Sequence, residues 1–232
     1  MLKNLKEAVC QANRLLPAYG LVRLTWGNVS GVDRERNVMV IKPSGLPYEG
    51  MTAEDMVAVD LGTGQVIEGT RRPSVDAEIH LELYRTFPQI GSIVHTHSKW
   101  AAVWAQAGRE IPALGTTHAD EFSGEIPCTR EMRAEEIQTN YEQNTGRVMA
   151  ETLRKQKVRS SGAVLVRSHG PFAWGETPQR AVEVAVTLEE VADMAWHTTL
   201  LCGGAPPPVM DELLSRHFCR KHGREAYYGQ LF

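Results

Sequence analysis

The 232-residue chain reads as a single α/β domain in which helices cover a mixed sheet, and three observations predict it. Short apolar runs of strand length alternate with stretches of helical spacing. No internal repeat or low-complexity tail interrupts that alternation, and the Pro/Gly-rich stretch "CGGAPPPV" at 202–209 is too short for a domain linker. Length agrees, since a chain of this size buries one substantial core.

The elements follow in order. "MLKNLKEAVCQANRLLPAYG" places Leu2, Leu5, Val9, Ala12 and Leu16 on one face, which predicts an amphipathic helix over about 2–16 stopping near Pro17, not a signal peptide. "GLVRLTWGNVSGVD" shows alternation and a Gly-Asn turn. "VMVIKPSG" is a buried strand from Val38 to Ile41 that ends in a polar Ser44-Gly45 turn. Val57 and Val59, then Gly62-Thr63-Gly64, then Val66 and Ile67 form a hairpin pattern. From Asp76 to Arg85 the spacing is helical, with Ile79, Leu83 and Phe87 on one stripe. "IGSIVHTHS" reads as a strand, and "KWAAVWAQAG" as a helix closed by Gly108. A second long helical region covers "AEEIQTNYEQNTGRVMAETLRKQ", with an interruption expected near Gly146. "GAVLVRSHG" is another apolar strand, ending on a histidine. The longest helix starts with Thr177 as cap and Pro178 in its first turn.

Composition removes several function classes. The chain is 42% hydrophobic and 23% charged, with a formal net charge of -3, so no basic block favours nucleic acid or an anionic membrane. No apolar run approaches the roughly 18 residues a membrane helix needs. Cys10, Cys128, Cys202 and Cys219 form no CxxC pair, which argues against a disulfide framework and for a reducing, cytoplasmic setting.

The chemistry-bearing signal is "IVHTHS". On a strand, residues i and i+2 point to one side, with Cβ atoms roughly 6.5–7 Å apart. The rings of His95 and His97 can therefore lean onto one ion at about 2.0–2.1 Å from each nitrogen. His169 ends another buried strand where a loop opens. Three neutral imidazoles make an open catalytic metal site; two hydrogen-bonded core histidines fit the pair alone equally well. Asp76 reads either as a fourth ligand or as a plain helix N-cap.

The segments "TWGNVS", "IKPSG", "VHTHS", "GTTHAD", "IPCTR", "SHGPFAWG", "RKHG" and "AYYGQ" run in this order over nearly the whole chain. Together they resemble the class II aldolase family, in its pentulose-phosphate epimerase branch. The resemblance implies a single domain over 1–232 with a three-layer αβα fold around a mixed, mostly antiparallel sheet. It implies zinc, or another divalent ion such as manganese or cobalt, on His95, His97 and His169, with Asp76 as the carboxylate beside it. Asn28, Lys42, Ser44, Gly45 and Ser74 match the phosphate-binding turns, whose N–H groups, hydroxyls and ammonium suit a dianion. Thr116, Glu142, His217 and Arg220 match further positions that line the site, and Asp120 and Tyr228 match the acid/base pair. The implied assembly is a homotetramer with active sites between subunits, to which a neighbour brings Asp120, Glu142 and Tyr228.

The implied reaction is inversion at C4 of L-ribulose 5-phosphate to D-xylulose 5-phosphate in pentose catabolism, by opening and re-forming C3–C4. The alternative is an aldolase that releases its aldehyde fragment. Two departures stand out. Val75 occupies the place of a second phosphate-site serine, and Glu121 and Ser123 replace two aromatics after Asp120. A carboxylate at 121 either raises the Asp120 pKa by like-charge repulsion or points to solvent.

Overall fold

The computed structural model describes residues 2–155, 162–224 and 226–227. Helix α1 (Leu2–Ala18) leads into strand β1 (Asn28–Asp33), followed by β2 (Val38–Ile41), β3 (Val57–Asp60) and β4 (Val66–Glu68). Helix α2 (Ala77–Thr86), β5 (Ser92–His95) and α3 (Lys99–Ala107) come next, then the short helices α4 (Thr116–Ala119) and α5 (Ala134–Gln138). Helix α6 (Tyr141–Lys155), β6 (Ala163–Val166), β7 (Gly170–Gly175), α7 (Pro178–Leu201) and α8 (Asp211–His222) complete the order.

The seven strands form one sheet in the order β4-β3-β2-β1-β5-β7-β6. Every ladder in it is antiparallel, and the parallel pairing found among the described residues is an isolated bridge between Cys128 and Leu165. The pleat sorts side chains between two cores, as a period of two requires. Val38, Val40, Ala58, Val94, Leu165 and Ala173 join α1, α3 and α7 on one face. Met39, Ile41, Val57, Val59, Ile93, Val164, Val166 and Phe172 join α2 and α6 on the other. Both faces being buried explains why the strands read as continuous apolar runs. This is the expected three-layer arrangement.

Antiparallel pairing gathers particular chain segments at one end of the sheet. There β2, β5 and β6 finish while β1 and β7 begin: Asn28 lies opposite His95, and His95 opposite Phe172. The end is held tightly. The Asn13 side chain, on α1, accepts from the Val29 N–H at 2.8 Å and donates to the Val29 carbonyl at 3.0 Å. A Cβ at Gly27 would lie 2.8 Å from the His95 carbonyl, and one at Gly170 would lie 2.8 Å from the Thr96 carbonyl. Glycine at both positions lets neighbouring backbone press against the residues that flank the histidines.

The structure corrects several expected boundaries. Helix α1 runs through Pro17 to Ala18. Strand β5 stops at His95, so His97 lies in the loop ahead of α3. The long helical region breaks between Gln138 and Tyr141, not near Gly146, which sits inside α6 against α2. Strand β7 went unread because "GPFAWG" opens on Gly-Pro, a pair that ordinarily marks a turn. Helix α8 is an element the expected order lacks, and none of its residues is buried. No helix among the described residues is long and apolar enough to cross a membrane.

Candidate metal centre

At the gathered end of the sheet, His95, His97 and His169 bring one nitrogen each within 4.8 Å of one another. Their ring centroids are 5.0, 4.7 and 5.2 Å apart. Three different local structures deliver them. His95 is the last residue of β5, buried and stacked on Phe172 at 4.1 Å. His97 stands exposed in the loop beyond it. His169 follows Ser168, whose φ of 60° makes the tight turn between β6 and β7. The three rings therefore meet through a strand end, a loop and a turn, and not through the pleat alone.

The donor chemistry fits a cation. The His95 Nδ1 lies 3.0 Å from the Pro171 carbonyl, which only accepts, so Nδ1 carries the proton and Nε2 presents a lone pair. That Nε2 is buried with no protein partner. An outward lone pair with the other nitrogen pinned to a carbonyl is the usual arrangement of a metal-binding imidazole. Burial lowers the pKa of His95, and burial with the His95 ring alongside lowers that of His169 to about 3, so both stay neutral and able to ligate.

Asp76 occupies the N-cap position of α2 but makes no side-chain cap bond. Its carboxylate instead faces the cleft, accepting from Asn28 Nδ2 at 2.8 Å. Burial alone would raise its pKa, yet the surrounding His95, His80 and His169 rings and the Asn28 amide hold it below the usual carboxylate range. Asn28 Nδ2 also donates to Ser74 Oγ at 3.0 Å. Its two amide protons thus face Asp76 and Ser74.

A cleft of about 520 Å³ opens from the histidines. Lys42, Ser44, Gly45, Ser74, Val75, Tyr141 and Glu142 line it along with Asn28, Asp76, His97 and His169. Backbone bonds from Ser44 N to the Arg72 carbonyl and from Ser74 N to the Lys42 carbonyl zip the 42–45 and 72–75 turns together. Among the described residues Lys42 is the one lysine or arginine on this wall, 2% exposed, with Nζ 4.8 Å from the Tyr48 ring centroid. Burial brings its pKa down to about 8. Tyr48 in turn donates to the Trp26 and Gly27 carbonyls and braces the opposite wall. Val75 is 68% exposed at the rim.

The expected residues thus fall into two groups. Thr116, Asp120, His217 and Arg220 do not line the cleft. Asp120 ends α4 and is gripped by α8, through Arg220 and His217. Burial would raise its pKa, but the hydrogen bonds from Arg220 and His217 keep it lowered. Glu121 neither repels Asp120 into protonation nor points to solvent: it is buried and paired with Arg180 and Lys221. Glu142, expected from a neighbour, lines the cleft of its own chain. Tyr228 lies outside the described residues. Tyr141 escaped sequence reasoning. Its hydroxyl lies 3.4 Å from His169 Nδ1, and no motif distinguishes it from any other first-turn tyrosine.

Residues 7–196 match the family model described as class II aldolase and adducin N-terminal domain. The chain is 53% identical to L-ribulose-5-phosphate 4-epimerase UlaF of Salmonella paratyphi B (strain ATCC BAA-1250 / SPB7), over 99% of this chain and 100% of that one. Among solved structures, an L-fuculose 1-phosphate aldolase superposes with a TM-score of 0.76 at 26% identity, covering 92% of this chain and 94% of that one. An L-fuculose-1-phosphate aldolase from Thermus thermophilus gives 0.69 at 27% identity, covering 88% of this chain and 99% of that one.

Proposed function

The chain belongs to the class II aldolase and adducin N-terminal domain family, and from that premise we propose that it is an L-ribulose-5-phosphate 4-epimerase. The single observation that carries the reading is the cleft itself, where His97 and His169, clustered with His95, line the same space as the Lys42 and Ser44 turns. Its full-length relative of 53% identity supports this substrate over other sugar phosphates.

C4 of the substrate is two carbons from the ketone, so its hydrogen is not acidic and simple deprotonation is a poor route. The C3–C4 bond, by contrast, is the one a retro-aldol opens. His95, His97 and His169 would hold a divalent cation, zinc in our reading, with Asp76 alongside. When bound, such an ion supplies Lewis-acid stabilisation of the charge that develops on the ketone fragment.

The chain's own residues do the rest. Lys42 and the zipped turns hold the phosphate of the aldehyde fragment, so that its carbonyl turns over without leaving. Asn28 fixes Asp76 and Ser74 by donating to both. One acid/base group takes the C4 hydroxyl proton as the bond opens, and a second returns a proton on the opposite face once it re-forms. Asp120 and Tyr228 fill these roles, and Asp120, held ionised by Arg220 and His217, is suited to accept. Asp120 does not line its own chain's cleft, and in this reading a neighbouring copy brings it, within the homotetramer that the family resemblance implies. The enzyme acts as a single domain over 1–232 in the cytoplasm.

The test is direct. Purified protein loaded with zinc is incubated with L-ribulose 5-phosphate, and D-xylulose 5-phosphate is followed. Metal-loaded protein that yields no product overturns the reading. Free glycolaldehyde phosphate during turnover would make it an aldolase instead.

A further inference from the structure

Helix α8 carries no residue into the core. Charge fastens it instead, to two consecutive residues at the end of α4. Arg220 donates from Nε and Nη2 to the two carboxylate oxygens of Asp120 at 3.0 and 2.8 Å, and His217 Nδ1 lies 3.0 Å from one of them. His222 Nε2 lies 2.9 Å from the Asp120 carbonyl, to which it donates. Lys221 Nζ donates to Glu121 Oε2 at 3.0 Å, while the other Glu121 oxygen pairs with Arg180 in the first turn of α7. Of these carboxylates Glu121 is the more withdrawn: its side chain is 4% exposed, against 22% for Asp120.

We propose that Glu121 is a positioning residue: clamped between Arg180 and Lys221, it sets where α8 docks and thereby how Arg220 and His217 orient the Asp120 carboxylate. The inference rests on the reading of Asp120 as a proton carrier. Two features of the geometry support it. The Glu121 carboxylate is withdrawn from water, and Lys221 is the partner of its Oε2, so undocking α8 strips that oxygen of its hydrogen bond while Arg180 still holds the other. The outer partners Arg180 and Lys221 remain 30% and 31% exposed, so salt reaches and screens them. A helix docked by apolar burial would instead hold more firmly as salt rises.

The full-length protein, metal-loaded, is compared as wild type, Glu121→Gln, Lys221→Gln and the double variant. Steady-state kinetics on L-ribulose 5-phosphate, metal content and amide exchange over 211–222 are measured on each. Glu121→Gln is expected to lower kcat about tenfold, with KM and metal content nearly unchanged and faster exchange in α8. Lys221→Gln should act in the same direction, and the double variant should add little, because both remove one latch. Raising salt from about 0.05 to about 0.5 M should reproduce the loss in wild type and have a weaker effect on Glu121→Gln. Wild-type kcat in Glu121→Gln overturns the proposal, and so does a lowered kcat with unchanged exchange over 211–222. If Glu121→Gln does not fold, Lys221→Gln, altered at a partly exposed side chain, carries the same test. An inactive wild type in which Glu121→Gln still speeds exchange over 211–222 would sink the epimerase reading and with it the catalytic role of the latch, while leaving the docking itself established.

Discussion

Among the three imidazoles, His97 offers the cleanest way to remove an ion, because it alone is exposed while His95 is buried against Phe172. His97→Ala should abolish metal binding and activity with little change in far-ultraviolet circular dichroism. Metal analysis of the folded variant checks this, and full metal content would remove His97 from the ligand set. Lys42 supplies a second residue-level test with a definite sign. Its folded pKa is lowered to about 8, so it is charged below that pH and neutral above it. Binding of the phosphosugar should weaken as pH rises through about 8, which kcat/KM reports as a descending alkaline limb. Lys42→Met should lower kcat/KM and flatten that limb. Stability moves the other way. Between about 8 and the ordinary lysine value of 10.5 the unfolded chain binds more protons, so this residue makes the fold more stable as pH rises through that window. At this scale much of the site is legible in the sequence: His97, His169, Lys42 and Asp76 line one cleft, and His95 clusters with the other two histidines. The pairing of the Asn28 amide is not legible, because it depends on Ser74 and Asp76 arriving from distant segments.

Helix packing supplies a test at the next scale. Gly146 looks like a helix breaker in sequence, yet it is the point where α6 crosses α2. A Cβ there would lie 2.6 Å from the Glu82 Cβ and 3.1 Å from the Ile79 carbonyl. Alanine would gain about 1 kcal/mol of helix propensity. Overpacking against a neighbouring helix costs about 1–3 kcal/mol, and one of the opposing atoms is backbone, which cannot swing aside. Gly146→Ala should therefore destabilise by up to roughly 2 kcal/mol in denaturant unfolding, the crowding outweighing the propensity gain. A stabilised variant would show that the helices separate freely. The same contrast explains which elements the sequence revealed. Strands β2 and β3 and helices α2, α3 and α7 have strong patterns or caps and fall where periodicity put them. Strand β7 opens on Gly170-Pro171, which reads as a turn, and α8 buries none of its residues, so neither is part of the apolar framework that periodicity reveals.

For the whole molecule, the question is what removing the ion does to a fold built from two apolar cores. Those cores lie on opposite faces of the sheet and draw on α1, α3 and α7 or on α2 and α6. The three histidines sit at the sheet's end, and only His95 packs into that interior. Sequence could place them near strand ends, but periodicity could not show that Asp120 and its partners on α8 stand apart from the cleft, since their grouping depends on distant segments meeting. The metal-free protein should stay folded, because neither core needs the ion. It should still melt lower, because an ion that binds only the folded state stabilises by mass action. That effect is about 2.7 kcal/mol at a hundredfold excess over Kd, and for a chain of this size it corresponds to roughly 5–10 °C in Tm. Chelation followed by a thermal melt and circular dichroism at 25 °C tests both halves. Native circular dichroism with a lowered Tm that returns on adding zinc fits a cleft that borrows its ion for chemistry. Loss of structure at 25 °C would instead make the ion a structural element on which the fold depends.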